Sequence, residues 1–349
     1  MVNLDDIVST IIDKTDEYLN IPSVVGHEKP FLDHLFKEYD GLSYEVIRDD
    51  NIVAVSGNDP TSHYISAHID RHGILSIGGG DYRYAAHAVK NYKYYEDTAS
   101  EKLSHLEGIC DQFKKEQVYA YGRWSGDVIA KGHVELCHYC TKRSNLIFKI
   151  KDTGEIPEGI PISYTHGKLE QGEYLAGQLD NVLSAGLISG LFQAGFEGTA
   201  FFTAEEEIGR SWKHLSNYLR SHDIQTDRLI VLDTSPYDTS DYADEGKVVL
   251  RNQDSFGSFN LDLVETLKDL CDQQVIPYDV KDETLEKQGK LQNQLGRTEL
   301  GRLIEESKGQ WSGATVQIPT FNYHTNHEST TRSAVRNVLE LLSEYLNNS

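Results

Sequence analysis

A histidine and an aspartate close an apolar stretch near residue 70. The run YISAHIDRHG (64–73) predicts a β-strand that ends with His68 and Asp70. Alternate residues of a strand share a face, so both side chains should point the same way. A metal-ligating histidine usually has a carboxylate behind its second ring nitrogen, and Asp70 is placed for that role. By itself, such a pair is more often structural than functional.

Three adjacent glutamates, Glu205, Glu206 and Glu207, follow the apolar run FFTA (201–204). Neighbouring carboxylates repel one another, so they are costly at the mouth of a sheet unless a counter-charge is present. One interpretation is a solvated acidic loop. The other is a cation site, in which one glutamate binds a metal ion and its neighbour acts on the metal-bound water.

Three further residues of ligating type lie near strand ends or helix starts. Asp180 precedes an apolar helix predicted at 182–194, where it could equally be an ordinary N-cap. Asp233 ends the apolar run RLIVLD, and His324 follows the run GATVQIPT, with His327 and Glu328 close behind. Ligands of open α/β sheets gather at the carboxyl ends of strands, so these residues could meet.

A set of two imidazoles and three carboxylates drawn from these positions would suit two divalent ions. Two divalent ions bring four positive charges; Asp180, Glu207 and Asp233 bring three negative charges, and a shared hydroxide brings the fourth. Zinc and cobalt suit such a mixed ligand set. The sequence therefore favours a centre for two divalent metal ions.

The elements that must position these residues read as an α/β fold. Helical and strand patterns alternate from about residue 175 onward, which predicts a mixed, largely parallel sheet between helix layers. Helices are expected at 4–19, 31–40, 182–194, 211–221, 257–272 and 331–346. The stretch 71–165 instead shows short alternating runs between glycines and charged turns. We therefore predict a main domain of residues 1–70 plus 166–349, with a small β-rich domain, 71–165, inserted into it.

Composition narrows the function classes. Lys and Arg total 33 against 55 Asp and Glu, a net charge of −22, which argues against nucleic-acid binding and against anionic membranes. No apolar run reaches 18 residues, and the first residues show no secretory pattern. The four cysteines are too few and too scattered for a disulfide framework, so we expect a reduced, cytoplasmic protein.

The motifs resemble those of the tetrahedral aminopeptidases, a family of dinuclear metallopeptidases that includes glutamyl and deblocking aminopeptidases and cellulase-labelled relatives. They follow the family's order: AHIDRHG, GQLDN, TAEEEIG, LDTSP, GRTELGR and IPTFNYHTNHE. The interval from His68 to Asp180 holds the predicted insertion. Related lid-bearing carboxypeptidases and deacylases carry their insertion later in the chain.

The resemblance implies a zinc-exopeptidase-like fold and an aminopeptidase acting on peptides. It also implies two divalent ions per chain, zinc first, with cobalt or manganese as alternatives. The implied ligands of one ion are His68, Asp180 and Asp233; those of the other are Asp180, Glu207 and His324. Asp180 bridges, Glu206 is the general base, and Asp70 supports His68. The Asp180–Asn181 peptide is expected to be cis.

The resemblance further implies a homo-oligomer, from a dimer up to a dodecamer, with the insert as a dimerisation or lid domain. The chain departs from the family at Arg71, where an acidic residue is usual, at Asn181-Val182 and at Arg297-Thr298-Glu299. Arg71 could meet an acidic substrate or form a salt bridge. The pair Cys137/Cys140 is too small for a structural zinc site, which needs four ligands.

Two alternative functions stay open. One is a related dinuclear-metal amidohydrolase or deacylase that acts on a non-peptide amide. The other is a cellulase-like glycosidase that uses paired acids among Glu205, Glu206 and Glu207.

Overall fold

The computed structural model describes residues 3–42, 44–86, 99–143 and 145–348. In this part of the chain the helices are α1 (Leu4–Leu19), α2 (Lys29–Gly41), α3 (Ala99–Phe113), α4 (Val182–Ala194), α5 (Ser211–Ser221), α6 (Asp241–Asp244), α7 (Leu261–Gln274), α8 (Lys281–Lys287), α9 (Leu291–Gln294), α10 (Glu299–Ser307) and α11 (Arg332–Asn348).

The strands are β1 (Glu45–Asp49), β2 (Ile52–Ser56), β3 (Tyr64–His68), β4 (Ile74–Ser76), β5 (Tyr82–Tyr84), β6 (Gln117–Tyr121), β7 (Val128–Cys140), β8 (Asn145–Lys151), β9 (Pro161–Tyr164), β10 (Glu170–Gln171), β11 (Tyr174–Gly177), β12 (Thr199–Thr203), β13 (Leu229–Pro236), β14 (Val248–Leu250), β15 (Gln253–Asp254), β16 (Gly257–Ser258), β17 (Tyr278–Val280), β18 (Gly313–Thr320) and β19 (Glu328–Thr331).

An eight-stranded sheet forms the centre of the molecule, in the order β1-β2-β12-β3-β13-β18-β14-β17. Its central strands β12, β3, β13 and β18 run parallel, while β1–β2, β2–β12 and β14–β18 pair antiparallel. Helices α1, α4, α7 and α11 pack on one face of the sheet, and α5 and α10 pack on the other. Each face of the sheet has its own apolar core. The predicted mixed sheet between helix layers is confirmed.

Helix α4 lies against the sheet beneath α1 and α11 and is apolar on nearly all sides. Such a pattern is typical of a helix surrounded by protein. A Cβ at Gly186 or Gly190 would collide with Thr15 or Ile11 of α1, so these glycines allow the two helices to approach closely. The residue just before this helix, Asn181, is thereby held at a fixed position over the sheet.

A closed six-stranded barrel occupies part of the β-rich stretch, in the order β4-β5-β8-β7-β6-β9. Its own core packs aromatic side chains, among them Tyr84, Phe113, Phe148 and Tyr164. The β-rich character predicted for this stretch agrees with the barrel, and the structure adds helix α3, which the sequence pattern did not predict. Residues 87–98 and 144 of the predicted insert lie outside the described residues.

Two expectations for elements are corrected. The helix expected at 257–272 begins at Leu261, because the Asn260 side chain accepts the Leu263 N–H at 3.1 Å and Gly257 belongs to β16. The strand expected to include Asp70 ends at His68. Beyond it the backbone turns, and Arg71 N bonds Ser23 O at 2.9 Å.

The expectation of reduced cysteines does not hold for one pair. Cys110 of α3 and Cys137 of β7 form a disulfide, with Cα atoms 5.3 Å apart. The two residues are 27 positions apart and meet because α3 packs against β7. Cys137 is therefore not a thiolate available to a metal, while Cys140 and Cys271 are free. Among the described helices, none has both the length and the apolar character to cross a membrane.

Candidate metal centre

The carboxyl ends of three parallel strands bring the first ligand candidates together. Thr203 of β12 pairs with His68, and Leu232 of β13 pairs with Ala67, so His68 and Asp233 lie at the same level and Glu206 follows nearby. His68 Nε2 is 3.6 Å from Asp233 Oδ1. The register of the parallel strands therefore brings His68 and Asp233, which are far apart in the sequence, next to each other.

Asp70 lies behind this edge, although it is outside the strand. Its Oδ1 is 3.5 Å from His68 Nδ1 and accepts the Glu206 N–H at 2.9 Å, while its Oδ2 accepts the Glu207 N–H at 2.9 Å. The side chain is completely buried. One carboxylate thus fixes the 3₁₀ turn Glu206–Ile208, which carries the two glutamates, and lies directly behind His68.

Asp180 lies between two histidines. Its Oδ1 is 3.1 Å from His68 Nε2, and its Oδ2 is 3.2 Å from His324 Nε2. The Asp180–Asn181 peptide is cis, as expected. Asn181 Nδ2 donates to Leu232 O at 2.8 Å, and Glu328 Oε2 accepts the Asp180 N–H at 3.1 Å. Glu328 therefore positions Asp180 from behind.

His324 lies in the loop between β18 and β19. It adopts a positive φ of 61°, uncommon for a residue with a side chain, and its Nε2 is 3.8 Å from Glu207 Oε1. His327 instead points to Glu116 and is 63% exposed, so it is not part of this cluster. The ligand set that the family resemblance implies likewise does not include His327.

The three adjacent glutamates have different surroundings. Glu205 lies 3.1 Å from His214 and 3.8 Å from Arg210, so its carboxylate is paired on the α5 side. Glu206 and Glu207 face the cluster. The structure thus separates the first glutamate from the other two, and the interpretation as one solvated acidic loop is wrong.

Burial and mutual repulsion dominate the electrostatics. Burial raises the pKa of Glu206 well above its ordinary value and the pKa of Glu207 to about 8. Burial also raises the pKa of Asp233. Against its burial, Asp180 has a pKa held well below the ordinary value by His324 and His68. Buried carboxylates in this number need compensating positive charge.

One residue of this cluster was missed from the sequence. His72 is 7% exposed, its Nε2 lies 2.5 Å from Glu207 Oε2, and its ring centroid is 3.8 Å from that of His324. Burial lowers the pKa of His72 to about 4. The only available signal was a second histidine four positions after His68, and it gave no indication of the side chain's direction.

Arg71 has neither of the two roles considered for it. Its guanidinium donates to Ser23 Oγ at 2.9 Å, to Leu19 O at 3.1 Å and to Ile21 O, and it is buried. These acceptors lie at and just beyond the end of α1, where a cation complements the helix dipole. Arg71 therefore anchors α1 and faces away from the carboxylates.

Fixed by these contacts, the ligand candidates fall into two groups. His68, Asp180 and Asp233 offer ligand atoms within 4.8 Å of one another, and so do His72, Glu207 and His324.

The family model of the M42 glutamyl aminopeptidases matches residues 159–341, more than half of the chain. The chain belongs to this family. Membership makes it a metal-dependent peptidase and supports aminopeptidase function.

Solved structures share the fold over nearly the whole length. An aminopeptidase from Desulfurococcus kamchatkensis covers 98% of this chain and 96% of its own, with 14% identity and a TM-score of 0.73. A peptidase of Pyrococcus horikoshii that assembles into a tetrahedron or an octahedral shell covers 96% and 98%, with 15% identity and a TM-score of 0.66.

A third structure, an endoglucanase from Thermotoga maritima, covers 94% and 95%, with 12% identity and a TM-score of 0.62. At these identities the likeness concerns the fold. No curated protein matches the chain.

Proposed function

We propose that this peptidase removes N-terminal residues from peptides with two divalent metal ions. The observation that carries the proposal is the position of Asp180, whose two oxygens face His68 and His324 separately. A carboxylate arranged in this way can bridge two ions, with His68 and Asp233 completing one site and Glu207 and His324 the other.

The residues present fit such ions. Asp180 Oδ1 and Glu207 Oε1 are buried without a hydrogen-bond partner, although buried polar atoms normally have one. Imidazole nitrogens and carboxylate oxygens suit zinc, with cobalt or manganese as alternatives. The negative charge of Asp180, Glu207 and Asp233 is the compensation that divalent cations require.

When bound, two divalent ions polarise a carbonyl and lower the pKa of a water molecule. The raised pKa of Glu206 suits a group that takes a proton and returns it to the leaving amine near neutral pH. Asp70 keeps Glu206 and Glu207 in place through their backbone N–H groups.

We also propose that the chain forms a homo-oligomer through the inserted domain, residues 71–165, while residues 1–70 plus 166–349 carry catalysis. The barrel exposes large apolar side chains, among them Trp124 at 66%, Val128 at 53% and Leu136 at 59%. Large apolar side chains left exposed on one domain are candidates for an interaction surface. Light scattering would measure the assembly, and a monomer at working concentration would contradict it.

A cytoplasmic location stays a prediction. The Cys110–Cys137 disulfide opposes it, because disulfides are rare in reducing compartments. Alkylating thiols during cell lysis, followed by mass measurement, would show whether the bond exists in cells.

The activity is tested with a substrate panel and metal removal. Purified protein is assayed on aminoacyl chromogenic substrates, N-acyl amino acids and a soluble cellulose, before and after chelation. We expect hydrolysis of free-amine substrates, loss with the chelator and recovery with zinc or cobalt. Turnover of only N-acyl amino acids would indicate a deacylase, and chelator-resistant cellulose cleavage a glycosidase.

A further inference from the structure

His72 faces the cluster with an unsatisfied nitrogen. Its Nε2 is buried and makes no hydrogen bond, even though Glu207 Oε2 is only 2.5 Å away. The two atoms are close enough for a hydrogen bond, but their relative orientation is not that of a hydrogen-bond donor and its acceptor. Glu207 Oε1 is likewise buried without a hydrogen-bond partner, and unpaired nitrogen and oxygen atoms that lie close together in a buried place are typical of metal ligands.

The other nitrogen of the His72 ring is held from behind. Tyr84 OH hydrogen-bonds Nδ1, and Gln178 Nε2 donates to the His72 carbonyl at 3.0 Å. Metal-ligating histidines usually use their second ring nitrogen in this way, which fixes the tautomer and the ring orientation. A proton on Nδ1, donated to Tyr84 OH, would leave the Nε2 lone pair facing Glu207 and His324.

We propose that His72 is an additional ligand of the ion held by Glu207 and His324, and that Tyr84 is its positioning residue. The inference rests on the proposed two-metal function. His72 is neutral as a ligand, so the charge balance of the centre does not change.

The added ligand makes the two sites unequal. Asp180, Glu207, His324 and His72 supply four protein ligands to one ion, whereas His68, Asp180 and Asp233 supply three to the other. Zinc sites with four protein ligands are closed, while catalytic sites keep an open position. Loss of the His72 side chain should therefore weaken binding of the ion held by Glu207 and His324 and leave binding of the ion of His68 and Asp233 unchanged.

Zinc binding tests the inference without reference to turnover. Metal-free wild-type protein, His72→Ala, Tyr84→Phe and the control His63→Ala are titrated with zinc against a chromophoric chelator, and bound zinc is counted by mass spectrometry. His63 lies before β3, at the far end from His68. Circular dichroism checks that each variant is folded.

The expected losses are graded. Changing a group that supports a ligand costs about 10- to 100-fold in metal affinity, which is the loss expected for Tyr84→Phe. His72→Ala should lose more than about 100-fold at one site only, since it removes the ligand itself. His63→Ala should bind both ions like the wild type.

A zinc-bound wild-type crystal gives an independent measurement. We expect anomalous density about 2.0–2.1 Å from His72 Nε2. The inference would be overturned if His72→Ala bound two ions with unchanged affinities. It would also be overturned if the wild-type crystal held two ions with His72 Nε2 outside bonding distance. Either result would leave the proposed function intact. Failure of the wild type itself to bind two ions at Asp180 would instead refute the proposed function.

Discussion

Replacing Asp70 by asparagine tests how the centre is positioned. The carboxylate accepts the Glu206 and Glu207 N–H groups, both at 2.9 Å, and its Oδ1 lies 3.5 Å from His68 Nδ1. Asparagine has nearly the same shape but only one acceptor oxygen. One of the two buried N–H groups must therefore lose its partner and face an amide NH₂ group.

The expected magnitude follows from these contacts. An unpaired buried donor costs about 1–3 kcal/mol, and a lost carboxylate behind a metal-ligating histidine costs about 10- to 100-fold in affinity. We expect Asp70→Asn to bind zinc about 10- to 100-fold more weakly. Its kcat at saturating zinc should also fall, because displacement of Glu206 by about 1 Å is enough to cost 100-fold in rate.

Asp254→Asn is a matched control. Asp254 is also buried, and its carboxylate accepts the Phe256 N–H at 2.7 Å and the Thr298 N–H at 2.9 Å, outside the metal cluster. The Asp254→Asn substitution should lower thermal stability without weakening zinc binding. The affinities come from chelator competition and the stabilities from thermal unfolding. Wild-type zinc affinity and kcat in Asp70→Asn would refute the positioning role.

Four other outcomes are expected. Glu206→Gln should keep both ions and lose about 10²- to 10⁴-fold in kcat, as measured with metal content confirmed. Asp180→Ala should bind fewer than two ions by elemental analysis; a full complement would contradict the bridging role. In metal-free protein, the pKa of Glu207 is raised to about 8 from 4.5, so the folded state binds its proton more tightly. The stability contributed by the protonated Glu207 carboxyl is fully present below about pH 4.5 and is lost as the pH rises towards 8. The melting temperature of Glu207→Gln should therefore depend less on pH than that of the wild type. Burial raises the pKa of Cys271 to about 12, so native alkylation should modify Cys140 and spare Cys271; equal labelling would be inconsistent with that burial.

Local patterns predicted much of the main domain correctly. The limits of α1, α4, α5 and β18 agree with the sequence-based expectations. The apolar residues of each of these elements recur at the period of a helix or a strand, so the pattern that buries one face also indicates the local backbone geometry. The motif order was likewise sufficient to place His68, Asp180, Glu207, Asp233 and His324 as candidates for one cluster.

Other features depend on contacts between distant parts of the chain. Helix α3 has a weak amphipathic pattern and is held by the barrel, and the Cys110–Cys137 bond requires that same packing. The turn after β3 sends Arg71 towards α1 and His72 towards Glu207, although the two residues are adjacent. No periodicity specifies this divergence.

The sequence by itself therefore determined the chemical types at the centre and the strands and helices that carry them. Those properties depend on residue identity and on short-range burial patterns. Only the tertiary structure decided which nitrogen and oxygen atoms face one another, because the register of parallel strands and the direction of each connecting turn arise from packing across the whole sheet. For that reason Asp70 and Asp180 could be named as candidates from the sequence, whereas the position of His72 could not be predicted.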